Sequence, residues 1–71
     1  MKSLKAKIGD GIIETDKNND LVFIDFGIVV KVTKGKIWCF WSTIQEEKWF
    51  YSDQDSEENR YSESIFTLVK S

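Results

Sequence analysis

Histidine and proline are absent from this chain of 71 residues, and cysteine occurs once. Without histidine the commonest general base and the commonest transition-metal ligand are missing. One cysteine forms no internal disulfide, and without histidine it completes no zinc site of the usual spacings. Cys39 also lacks a histidine to activate it, so it is expected to fill a small core position. No apolar run approaches the ~20 residues of a membrane-spanning helix, because Asp25, Gly27 and Lys31 interrupt the longest stretches. The opening Met1-Lys2-Ser3-Leu4-Lys5 is followed by no apolar core, so no secretory leader is expected. Strong basic charge is missing as well. Residues 1–36 carry seven lysines against five acids, and residues 37–71 carry three basic residues against seven acids, leaving a net charge of −2. Proteins that grip nucleic acid through phosphates carry a basic excess, so weak or no nucleic-acid binding is expected.

What is present is globular in balance, at 41% hydrophobic and 31% charged residues. Aromatics are plentiful for the length, with three Trp, five Phe and two Tyr. A chain this short buries only roughly 60% of the surface its unfolded form exposes. Dense aromatic packing, a partner surface or self-association must therefore supply the stability that disulfides supply elsewhere. Residues 1–71 are expected to form a single domain.

With no proline, glycines and clusters of Asp, Asn and Ser mark the turns. Residues 12–15 read as a short strand closed by the polar loop 16–20. Residues 21–33 are rich in Val, Ile and Phe but too long for one typical strand. Gly27 is expected to bend or bulge this stretch into pieces at 21–26 and 28–33. Residues 33–36 form a tight hairpin connection leading to the strongly β-prone 37–41, and a second hairpin over 42–47 leads to 48–52. Residues 53–60 are acidic and aperiodic, 61–64 have room for one helical turn, and 65–69 form the last strand. No apolar period of 3.6 residues persists long enough for an amphipathic helix. The expected architecture is five or six short antiparallel strands closed into a small, partly open barrel.

Gly9-Asp10-Gly11-Ile12, residues 27–32, Gly35-Lys36-Ile37, Trp41, Trp49 and the closing Leu68-Val69 carry a resemblance over residues 7–70. The pattern resembles small SH3-like barrel proteins of tailed bacteriophages, with the architecture of KOW and Tudor modules. The resemblance implies an SH3-like barrel of viral origin, in a virion or the host cytoplasm, docking on a larger viral or host assembly. It implies no catalytic residue.

Neither catalytic, cofactor-binding nor metal-ligating residues emerge from the chain itself. The run Asp16-Lys17-Asn18-Asn19-Asp20 starts like a calcium loop, yet Leu21 stands at the glycine position and Gly27 at the twelfth. Gly9-Asp10-Gly11 is too short to cradle a phosphate. The acidic residues of loop 53–63, namely Asp53, Asp55, Glu57, Glu58 and Glu63, admit phosphate mimicry against a host protein, although such runs are usually solvated loops. A KOW-like nucleic-acid contact would use Lys2, Lys5, Lys7, Lys34 and Lys36.

The aromatic cluster points to binding instead. Strand alternation sets Ile37, Cys39 and Trp41 on one face and Trp38 and Phe40 on the other. A loop over 43–46 pairs Phe40 with Trp49 and Trp38 with Tyr51, whereas a register one residue different brings Phe50 to that face. Trp38, Phe40, Trp49 and Tyr51 are therefore the expected partner-binding residues, provided that neither residues 21–26 nor the last strand covers them. Glu46, Glu47, Asp53 and Asp55 are the expected neighbours, opposed by Lys36 and Lys48. That balance favours a protein partner.

Overall fold

The computed structural model describes residues 3–53 and 63–69. These form five strands, β1 (Gly11–Asp16), β2 (Phe23–Thr33), β3 (Lys36–Trp41), β4 (Glu46–Tyr51) and β5 (Ser64–Val69). All pair antiparallel in one sheet of order β4-β3-β2-β1-β5. No helix occurs among the described residues, and Ser64, placed at the end of the expected helical turn, opens β5 instead. The chain is all-β, as expected.

The sheet is not closed by hydrogen bonds, since β4 and β5 are its edges. It curls enough, however, for Phe50 of β4 to stack on Phe66 of β5, with ring centroids 4.1 Å apart and planes within 9°. The N-terminal segment reaches the end of β4, where the Leu4 amide donates to the Ser52 carbonyl at 2.8 Å and Ser3 bridges Asp53. These contacts give the partly open, barrel-like form.

Alternation decides the core. Ile12, Val29, Ile37, Cys39, Trp41 and Phe50 are buried on the inner face, with Leu4, Ala6, Phe66 and Leu68 packed against them. Burial pushes the Cys39 thiol up to about 12, so it stays protonated and unreactive at neutral pH.

β2 is unbroken through Gly27, which corrects the expected division of this stretch. Gly27 pairs in register with Ile12 on one side and Trp41 on the other. The irregularities fall elsewhere: the β1 pairing skips Ile24, and the β3 pairing skips Val30. Eleven residues fit in one strand because β2 serves two neighbours, β1 along its first half and β3 along its second. Gly27 is required for space, because a Cβ there would lie 2.8 Å from the Trp41 ring. Gly35 meets the conformational demand, taking φ +81° in the turn between β2 and β3.

The β3–β4 loop occupies residues 42–45, one position earlier than expected. Its capture by β2 explains the shift. The Ser42 amide and hydroxyl both donate to the Phe26 carbonyl at 2.9 Å, and the Thr43 amide donates to Asp25 Oδ1 at 3.0 Å. The same Oδ1 accepts the Phe26 amide at 2.7 Å. Placing the four-residue loop at 42–45 in place of 43–46 moves the β3–β4 register by two residues, which changes the partners and keeps the faces.

Asp25 is buried, and its burial acts to raise its pKa. The amides of Thr43, Phe26 and Ile44 and the Thr43 side chain outweigh that effect and hold the carboxyl below its ordinary value. A depressed carboxylate stabilises the fold above its unfolded pKa, and that stabilisation disappears as pH falls through its folded pKa. Asp25→Asn is therefore expected to be less stable than the parent at neutral pH, with the difference shrinking below about pH 4. Urea unfolding of both chains across that range checks this; a pH-independent difference would contradict it.

Candidate interaction surface

The outer face of β3 and β4 carries all four residues expected from strand alternation. Trp38 pairs with Trp49, Lys36 with Tyr51 and Phe40 with Glu47. The expected pairs, Phe40 with Trp49 and Trp38 with Tyr51, are replaced through the loop shift. Trp38 and Trp49 lie with centroids 6.2 Å apart and planes inclined by 47°. Tyr51 meets the Trp49 ring edge-on at 4.9 Å and 83°. Trp38 Nε1 donates to Thr33 Oγ1 at 3.4 Å, fixing the indole toward the β2–β3 hairpin. Phe40 extends the face in the other direction, beside its cross-strand partner Ile28.

The patch remains open among the described residues. Phe40 is 42% exposed, Ile28 41% and Trp49 38%, while Trp38 and Tyr51 are half-buried. Neither expected cover lies over it. Residues 23–26 pair with β1, Leu21 and Phe23 are themselves exposed, and β5 stands at the far edge beyond β1. The core is complete without these rings, because Trp41, Phe50 and Phe66 fill the inner face.

The electrostatics differ from the expected acidic surroundings. Glu46 and Lys48 pair with Trp41 and Cys39 and so belong to the inner face. Asp55 lies outside the described residues, as do Glu57 and Glu58 of the acidic loop. The charged neighbours on the outer face of β2–β4 are Lys31, Lys36 and Glu47. Lys36 Nζ sits 4.2 Å from the Trp49 ring centroid, and Lys31 Nζ sits 5.2 Å from that of Trp38. Uninterrupted alternation would have pointed Lys31 inward with Val29. The bulge at Val30 turns it outward beside Trp38. Sequence reasoning missed this lysine as a site residue. The available signal was the loss of clean alternation in Ile28-Val29-Val30-Lys31-Val32, which marks irregularity without locating it.

A cleft of about 360 Å³ opens near the gap between the sheet edges, with Trp41, Phe50 and Phe66 among its lining and Glu14, Asp25 and Lys48 as its charged groups. Its polar groups are partly committed, Asp25 to the loop strap and Glu14 Oε2 as acceptor of the Ser64 hydroxyl. The calcium-like run is likewise occupied locally, since Asp16 Oδ1 accepts the Asn18 and Asn19 amides. Among the described residues no three potential metal ligands cluster.

No protein-family model, curated protein or solved structure matches this chain. The surface must therefore be interpreted from its own chemistry.

Proposed function

We propose that the chain is a non-enzymatic interaction module that docks a protein partner through Trp38, Phe40, Trp49 and Tyr51. One observation carries this reading: three rings packed in series, Trp38 on Trp49 and Trp49 on Tyr51, and a fourth beside Ile28 stay on the outer face although a separate aromatic set completes the core. Tryptophan and tyrosine are the residue types that anchor protein interfaces. The sequence resemblance suggests a larger viral or host assembly as the setting, in a virion or the host cytoplasm.

Magnitudes limit what the rings do alone. With more than half of each residue already covered, burying the remainder contributes on the order of 1 kcal/mol per ring. A micromolar contact needs about 8 kcal/mol beyond the costs of association, so other groups on this face must contribute.

The test begins with proteins retained on the immobilised chain, followed by titration of the purified partner against Trp38→Ser. This substitution is expected to weaken binding more than tenfold, about 1.4 kcal/mol, while leaving the chain folded by circular dichroism. Undiminished affinity in a folded variant would reject the docking surface. An unfolded Trp38→Ser chain would make the tryptophan structural instead.

A further inference from the structure

We infer that the partner segment docking on this face is acidic, setting carboxylates against Lys31, Lys34 and Lys36 beside an apolar side chain on Phe40 and Ile28. The inference rests on the docking role proposed above and adds the chemistry of the partner. The face is polarised along the strands. Its β2–β3 hairpin end carries Lys31, Lys36 and the exposed turn residue Lys34, whereas Glu47 lies at the Phe40 end. Asp53, two residues beyond Tyr51, adds one acid at the hairpin end, where its backbone is bridged to Ser3, and three lysines outnumber it.

The lysines are held in place while their charge stays available. Contact with an indole face restrains the ammonium of Lys36 and, more loosely, that of Lys31. Among the described residues neither ammonium is paired with a carboxylate. An ammonium carries three donors, so one lying on a ring still has N–H groups to offer an incoming carboxylate. Bonds of that kind are charge-assisted, and restraint of the side chain before binding reduces the ordering cost. These contacts supply part of what the half-buried rings lack. The Val30 bulge reinforces the assignment, because it is what brings Lys31 to this face.

A single-stranded nucleic acid also combines negative charge with flat apolar groups. Base stacking, however, needs accessible ring faces along a positive groove. Here the ring planes are inclined by 47° and 83°, and Lys36 lies over Trp49. The geometry favours an acidic polypeptide.

The experiment is selection of random displayed dodecapeptides on the full chain, with oligothymidine as competitor. Expected winners combine Asp or Glu with a large apolar residue, bind more weakly as salt rises, and lose affinity more than tenfold against Trp38→Ser. The K31E/K36E double variant is expected to lose them more than tenfold and to select basic peptides instead. Lys34→Glu, in the exposed turn, provides a milder second variant, with folding of each checked by circular dichroism. Winners that depend on Trp38 but lack acidic residues, or that bind K31E/K36E equally, overturn the acidic partner and leave the docking role standing. Winners indifferent to Trp38→Ser, or no enrichment, count against both. Submicromolar, salt-sensitive displacement by oligothymidine overturns the inference in favour of nucleic acid.

Discussion

Replacing Trp41 with alanine is expected to lower the melting temperature by roughly 15–30 °C and leave much of the chain unfolded at 37 °C. Trp41 is 4% exposed and contacts both rings that join the sheet edges, Phe50 at 6.2 Å and Phe66 at 5.9 Å. Its Nε1 donates to the Lys48 carbonyl at 3.3 Å, tying the side chain to β4. Truncating a buried aromatic costs about 3–5 kcal/mol, because the vacated volume refills only in part. At roughly 0.05–0.15 kcal/mol per residue, a chain this small has about 4–10 kcal/mol in total. Most of that margin would go. Trp41→Phe, which keeps a ring at the site, should lose far less, and thermal unfolding followed by circular dichroism compares the two. A cooperative Trp41→Ala transition near the parent midpoint would show that the Phe50–Phe66 stack holds the sheet edges together without it.

The contrast between Trp41 and Trp38 was legible in the sequence because alternation along a strand is a local property. Three positions separate the two indoles, so one faces the core and the other faces out whatever the neighbouring strands do. The strands, the glycine turn after β2 and the absence of a long helix were legible for the same reason. Each is written in a few adjacent residues. Even a misplaced β3–β4 loop did no harm to the face assignment, since moving a four-residue loop from 43–46 to 42–45 changes the register by an even number.

What escaped the sequence depends on contacts between distant residues. The loop position is set by Asp25 and the Phe26 carbonyl, some 16–18 residues upstream of the groups they capture. In the sequence Asp25 looks like an interruption of an apolar run; in the fold its carboxylate is buried and receives backbone amides, those of Phe26 and Thr43 foremost. Asp10, also buried, accepts the Lys7 amide at 3.0 Å and so closes the turn that leads into β1. The Val30 bulge belongs to the same class, since a skipped residue is visible only against a partner strand. It has the largest consequence for function, because it adds Lys31, over the Trp38 ring, to a face that already carries Lys36 over Trp49. Sequence alternation thus identified the aromatic residues of the surface, while its charge required the register.

Gly27→Ala is expected to destabilise the fold by about 1–3 kcal/mol, the usual cost of forcing an extra methyl group into a filled core. Ordinary strand preference predicts the reverse, because alanine is favoured over glycine wherever φ is negative and space allows. Gly27 has no positive φ, so backbone conformation gives no reason for glycine. The reason is the Trp41 ring. An added Cβ would lie 2.8 Å from its Cε3 and 3.0 Å from both its Cδ2 and the Cys39 Cβ. The indole has little freedom to withdraw, with Phe50 and Phe66 against it and its Nε1 bonded to Lys48. The clash should therefore move β2 relative to β3 or tilt the ring away from the sheet edges. Pairing Gly27→Ala with Trp41→Phe separates steric from conformational causes. If the ring is the obstacle, the smaller aromatic absorbs the methyl group, and the double variant loses less than the single losses predict, with a coupling of about 0.5 kcal/mol or more. Denaturant unfolding of the four chains measures it. Purely additive losses would exclude the ring as the obstacle, and a Gly27→Ala chain as stable as the parent would show that β2 tolerates a side chain where Trp41 crosses it.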